Sequence, residues 1–304
     1  MKILAITLFI SLNLFSGISK KFDVIDGEIV SSGDYASVVR LAIGTKGVCT
    51  ATLLSTQTLL TAAHCVLGIK LNETTKKPEV YFKKMSIKVD LVKEVLTIPV
   101  EEKNILVNPK SYKYDEVKKQ FSLDPMADIA IITFKKNLKL RKIKFPKIKI
   151  SKYPVGLVNE DDFDISMNPD VLYDLEYRKF VVVGYGYKSF LIDREDVNNK
   201  RYGTVKLLPL HVLSDHRHTL ETLPVDFLNK KKGDKSVQVA PGDSGGPLFD
   251  ELGNLVGVSS TVSVLAFTTK NAVAKSNFVP LYQNQNVKFF KSLLSNKNVA
   301  IKFK

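Results

Sequence analysis

Cysteine is scarce in this 304-residue chain, which has two, Cys49 and Cys65, beside four histidines and four methionines. That pair supplies too few ligands for a structural zinc site. Beyond the N-terminus, no apolar run approaches the length a membrane-spanning helix needs. Low-complexity linkers and short-period repeats are also absent, so nothing divides the chain into an array. Interleaved aromatics and arginines of the kind that read nucleic acid are missing as well, despite a net charge of +14 that comes mostly from lysine. A basic surface of this kind favours weak contact with polyanions rather than a specific nucleic-acid site.

What is present begins with Lys2 and an apolar run, Ile3 to Phe15, ending in the small residues Gly17 and Ser19. This pattern reads as a secretory signal peptide over residues 1–19, leaving no transmembrane segment after its removal. In an exported chain, two cysteines sixteen positions apart (49 and 65) read as one disulfide rather than free thiols. At 304 residues the chain is ample for a real core.

Short β-branched segments dominate the remainder. Strands are expected within 35–43 and 48–60, near 79–83, 86–99 and 103–107, and over Ile129–Phe134, Lys179–Tyr187 and Tyr202–Leu213. Phe249–Val264 reads as a hairpin turning at Gly253-Asn254, and Val287–Leu294 as a closing helix. Between Lys135 and Lys152 basic residues alternate with Ile143, Phe145, Ile148 and Ile150. Half-buried strands with a solvated lysine face, or an anion-binding stripe, both fit that pattern. Glu160–Glu176 is acidic and reads as an exposed loop. Many short strands with one terminal helix argue an all-β protein of two packed barrels.

Three stretches carry chemistry. Ala240-Pro241-Gly242-Asp243-Ser244-Gly245-Gly246-Pro247 surrounds one Asp-Ser pair with residues that allow a tight turn. Ser244 would stand in a cleft, with the Gly242 and Ser244 amides aimed at a forming oxyanion. A serine needs a base and an orienting carboxylate to act as a nucleophile. Thr61-Ala62-Ala63-His64-Cys65 offers the base, and Asp128, at the mouth of the apolar run Ile129–Phe134, offers the carboxylate. A carboxylate there is costly without a partner, and His64 is the partner at hand. His211, His216 and His218 lie close together, but no cysteine or carboxylate set completes a metal site, so no metal and no cofactor are expected.

Taken together, Thr61–Cys65, Asp128-Ile129-Ala130 and Gly242–Pro247 resemble the trypsin/chymotrypsin-like serine proteases, whose chain order is also His, Asp, Ser. Val24-Ile25-Asp26-Gly27 is similar to that family's mature N-terminus, and Gly184-Tyr185-Gly186 to the strand end that opens its second barrel. The resemblance implies two six-stranded antiparallel barrels with a C-terminal helix and a secreted serine endopeptidase made as a zymogen. Barrel one would span about 24–140, barrel two about 150–285 and the helix about 285–296 of a 24–296 domain. A pro-segment at 20–23 and a basic tail at 297–304 would flank it. It further implies His64, Asp128 and Ser244 as the triad, a Cys49–Cys65 disulfide, and a freed Val24 amine pairing with Asp243. Ser260 would lie beside the substrate backbone, and Gln238 and Val262 in the specificity pocket.

The chain departs from the trypsins at several places. Asp23 precedes Val24, Gln238 stands where trypsins carry aspartate, and Ala240 replaces a cysteine. Val262 in place of glycine implies a shallow pocket for small or medium apolar side chains. The partner is thus a protein or peptide substrate, and the chain is expected to be a monomer. A catalytically silent homologue binding anionic surfaces, and a metal-dependent hydrolase built on the 211–218 histidines, are the competing readings.

Overall fold

A computed structural model describes residues 27–150 except 32, 46, 76, 77 and 92, then 179–186, 199–207, 219–226 except 223, 237–267 and 272–304. Val24, the acidic 160–176 stretch and His211, His216 and His218 lie outside the described residues. No helix among the described residues is long and apolar enough to cross a membrane.

The chain is mostly β. In order, the elements are β1 (Glu28–Ile29), β2 (Val38–Ile43), β3 (Gly47–Leu53), β4 (Thr58–Thr61), the one-turn helix α1 (Ala63–Val66), β5 (Leu67–Leu71) and β6 (Pro78–Phe82). There follow β7 (Met85–Asp90), β8 (Val95–Val100), β9 (Ile105–Val107), β10 (Tyr112–Asp115), β11 (Gln120–Leu123) and β12 (Ala130–Thr133). The second half contributes β13 (Phe180–Gly184), β14 (Arg201–Val205), β15 (Leu220–Glu221), β16 (Val225–Asp226) and β17 (Pro247–Phe249). The long hairpin β18 (Leu255–Phe267) and β19 (Ala272–Pro280), then α2 (Asn284–Ser292), complete the chain.

Two antiparallel sheets carry the fold. The first has the strand order β8-β7-β2-β3-β4-β12-β9, the second β1-β14-β13-β17-β18-β19-β15 with β16 on β19. The hairpins β5–β6 and β10–β11 stand apart from both. In β12 every residue of Ala-Ile-Ile-Thr is buried, as expected for a strand lying between β4 and β9 inside the sheet. Leu41, Leu53, Leu59, Leu60, Ile87, Ile131 and Ile132 are fully buried in the first core, each contributing about 1.5–3 kcal/mol of transfer free energy. Val183, Phe249, Val258 and Phe290 join that same core from the second half, so the halves are packed rather than tethered.

Two expected segments take another form. The single strand expected at 86–99 is a hairpin, β7–β8, closed by mutual Leu91–Glu94 backbone hydrogen bonds. Polar Asp90, Lys93 and Glu94 interrupt the apolar alternation there. Within 135–152, Leu138–Lys142 forms a 3-10 turn whose cap is the Asn137 side chain accepting from Lys139 N at 2.9 Å. A local side-chain acceptor of this kind competes with strand pairing. Among the described residues of that stretch, only Ile148 makes β-bridges, to Leu255 and Phe303. The closing helix begins at Asn284 and ends at Ser292, a little earlier at both ends than its apolar spacing suggests.

Candidate active site

Strand register brings His64 and Asp128 together. Ala130 of β12 pairs with Thr61 of β4 in antiparallel sense, so the residues just before Ala130 face those just after Thr61. His64 lies on α1 and Asp128 on the turn entering β12, and the two meet at that end of the sheet. Asp128 Oδ2 is 2.7 Å from His64 Nδ1, and Oδ1 accepts the His64 backbone N–H at 2.9 Å. Ser260 Oγ of β18 donates to the same Oδ2 at 2.6 Å. Burial alone pushes the Asp128 carboxyl up. The His64 ring, the Ser260 hydroxyl and the His64 amide outweigh that, and the carboxyl lies below its ordinary value. An ionised Asp128 has no proton to give, so Nδ1 of His64 is the donor, and in the neutral imidazole Nε2 is then the acceptor.

The segment leading to Asp128 is held from several sides. Ser111 Oγ donates to Ala127 O at 2.5 Å, and Asn286 of α2 donates to Met126 O at 2.9 Å. Tyr112 of β10 lies close enough to feel the carboxylate. Its hydroxyl is pushed up to about 12, first by burial and then by the Asp128 charge.

The Ser244 loop is tied to both sheets. Thr50 N donates to Ser244 O at 2.8 Å from β3, while Gly245 N donates to Ser259 O at 2.7 Å in β18. Thr50 Oγ1 donates to Gly242 O at 2.9 Å and accepts from Tyr185 N at 3.0 Å, joining the loop to the end of β13. Gly245 has φ +83, and a Cβ there would lie 2.1 Å from Thr61 Oγ1 and 2.3 Å from Thr50 O. Only glycine lets the loop sit this close to the strand that leads into His64. The Cys49–Cys65 disulfide lies between the two: Cys65 Sγ is 3.5 Å from Ser244 O and 3.9 Å from His64 Nε2. A disulfide sulfur carries no hydrogen, so these are packing contacts. Ser244 is half-buried, and its hydroxyl makes no hydrogen bond to another described residue. Nor do the Gly242 and Ser244 amides donate to any acceptor among the described residues.

Asp243 is turned away from the cleft into the second half. Its carboxylate accepts from Gly186 N at 2.7 Å and Ala240 N at 2.8 Å. Burial pushes its pKa up to about 6, against the two amides and the Arg201 charge. A small cavity beside it is lined by Gly184, Arg201, Val239 and Ser259.

Gln238 is fully buried, with Oε1 accepting from Thr222 Oγ1 at 2.9 Å and from Ser276 Oγ. Val262 pairs directly with Ser276 across β18 and β19. Ser276 thus neighbours both Gln238 and Val262, and Thr222 joins it on Gln238; the sequence reading singled out neither Ser276 nor Thr222. Thr50 and Lys83 were missed in the same way, because their partners are remote in sequence. Among the described residues, the one grouping with metal-ligand spacing is Cys49, His64 and Cys65, and the disulfide consumes both sulfurs.

Two antiparallel sheets, with a His-Asp pair at one end and a glycine-rich serine loop bonded to both, have the form of a trypsin-like serine protease fold. A model of the family described as Trypsin matches residues 24–157, which include both cysteines, His64 and Asp128. No curated protein matches the chain. Solved structures do match. Neuropsin, a serine protease expressed in the limbic system of mouse brain, aligns at 16% identity and TM-score 0.57, over 88% of this chain and 99% of that one. An inactivated protease paralogue of the scabies mite, S-D1, aligns at 16% identity and TM-score 0.54, over 90% and 98%. A Glu endopeptidase in complex with MPD aligns at 15% identity and TM-score 0.51, over 88% and 96%. The resemblance to the trypsin/chymotrypsin-like serine protease family is thus shown, in sequence over residues 24–157 and in fold over most of the chain.

Proposed function

We propose that the chain is a secreted serine endopeptidase that hydrolyses peptide bonds through an acyl-enzyme on Ser244. The observation that carries this is the Asp128 carboxylate on His64 Nδ1 at 2.7 Å, which leaves Nε2 as the base, 3.9 Å from the Cys65 sulfur that itself lies 3.5 Å from Ser244 O. Ser244 Oγ attacks the scissile carbonyl while His64 takes its proton and then returns it to the leaving amine. The Gly242 and Ser244 amides hold the oxyanion. Water then attacks the acyl-enzyme with His64 again as base, releasing the second product and the free serine.

In the finer reading, residues 1–19 are a signal peptide and 20–23 a pro-segment, and the two sheets, with seven and eight strands rather than the six each that the resemblance implied, are two barrels within a 24–296 domain. The mature protein is a monomer whose basic surface gives weak polyanion binding. Gln238, Ser260 and Val262 line the substrate pocket. The Val262 side chain and the occupied Gln238 oxygen favour small or medium apolar side chains over Lys or Arg. A peptide library tests both levels at once: cleavage after small apolar residues is expected. Cleavage mainly after Lys or Arg would overturn the pocket assignment, and no cleavage would overturn the peptidase. A silent homologue is the second reading, and it draws support from the scabies mite neighbour, titled inactivated. Against it stands the intact His64, Asp128 and Ser244 set.

Activation by a freed Val24 amine entering beside Asp243 has a pH signature. An acid whose folded pKa, about 6, exceeds its ordinary 3.8 binds its proton more tightly when folded. Its destabilising effect is therefore full above pH 6 and fades as pH falls toward 4, at most about 3 kcal/mol. A paired Val24 amine removes that cost. The melting temperature of a chain starting at Val24 should then exceed that of the longer chain by a margin that widens from pH 4 to 7. Equal pH dependence in the two chains would rule the pairing out.

A further inference from the structure

Lys83 stands between β6 and β7, at the foot of the β5–β6 hairpin that follows α1. It grips α1 twice. Its backbone N–H donates to Val66 O at 2.8 Å, and its Nζ donates to His64 O at 2.7 Å. A one-turn helix leaves its last carbonyls without intrahelical partners, and a cation there is favoured. In α1, Leu67 N takes the Ala63 carbonyl, and Lys83 takes those of His64 and Val66. His64 is therefore fixed at three points: its amide and Nδ1 on Asp128, and its carbonyl on Lys83. Lys83 is half-buried, so the bond is sheltered from water rather than a surface contact.

We propose that Lys83 is a positioning residue for the base: its ammonium fixes the His64 backbone, so that Nδ1 stays on Asp128 and Nε2 keeps its place beside the Cys65 sulfur that touches the Ser244 loop. The inference rests on the peptidase reading for its effect on turnover, but not for its effect on the His64–Asp128 bond. Among the described residues, the charged groups in contact with His64 are Asp128 from the turn before β12 and Lys83 itself, with the Tyr112 hydroxyl of β10 close enough to feel the carboxylate. Burial holds the Lys83 ammonium below its ordinary value, and the Asp128 charge opposes that only in part. Asp128 makes no hydrogen bond to Lys83 among the described residues, so the lysine acts through His64.

The test compares Lys83→Met, which keeps the length and loses the charge, with Lys83→Arg, which restores a donor. Near-UV circular dichroism checks that each variant is folded, and Lys83→Gln replaces Lys83→Met if the latter is not. Two readouts are taken on the whole chain. One is steady-state hydrolysis of a small activated ester, and the other is the low-field proton NMR signal of the His64 Nδ1–H. The expected result for Lys83→Met is a kcat lowered about ten-fold with KM little changed, because a misplaced catalytic group costs rate rather than binding. The low-field signal should broaden in Lys83→Met and return in Lys83→Arg. A Lys83→Met chain with wild-type kcat and a wild-type low-field signal would overturn the proposal. A wild-type chain inert toward esters whose low-field signal still depends on Lys83 would refute the peptidase and support the positioning role.

Discussion

Ser244→Ala should lower kcat for ester and peptide hydrolysis by about 10^6, the loss that follows when a nucleophile acting as one unit with its base is removed. The variant should be as stable as the wild type to within about 0.5 kcal/mol. Ser244 is half-buried and its hydroxyl has no hydrogen bond to lose among the described residues, while its carbonyl bond to Thr50 N is kept. Gly242 and Gly245, at φ +101 and +83, keep the loop in place whatever side chain stands between them. Rates measured beside a urea titration separate the two effects. A variant that keeps a tenth of the wild-type rate would contradict the nucleophile assignment.

Asp128→Asn is expected to lower kcat by about 10^4 with little change in KM. The reason is tautomeric. An asparagine amide turned toward Nδ1 donates where the carboxylate accepted, so Nδ1 becomes the acceptor and the proton moves to Nε2. A protonated Nε2 cannot take the Ser244 proton. The carboxylate also accepts the His64 amide and the Ser260 hydroxyl from a fully buried position. Asparagine has one oxygen for these donors, and a stability loss of about 1–3 kcal/mol is expected alongside the kinetic one. A rate drop below about ten-fold would mean that Asp128 does not set the tautomer.

The parts of the site that were legible in the sequence are those written in short range. Gly242–Pro247 announces a tight turn around one serine, and the apolar run after Asp128 announces a buried carboxylate in need of a partner. The pairing of Ala130 with Thr61 is what turns those local signals into a site. That register follows from burying β12 within the sheet, so it is implied by the pattern without being written in it. Thr50 and Asn286 were not legible, because a strand threonine and a helix asparagine look like ordinary polar positions until Gly242 and Met126 arrive beside them. Lys83 is the extreme case. It is one lysine among many, and only the length of the β5–β6 hairpin returns it to the carbonyl of His64. The hairpin at 91–94 and the 3-10 turn at Leu138–Lys142 were missed for a different reason: a few polar residues outweigh a weak β alternation.

The central claim is that Ser244 is a nucleophile activated by His64. It is tested most directly by incubating the purified chain with a fluorophosphonate and locating the adduct by mass spectrometry. One adduct on the peptide containing Ser244, absent in Ser244→Ala and strongly slowed in Asp128→Asn, is the predicted result. A chain beginning at Val24 that takes up no label, or takes it up elsewhere, would contradict the account.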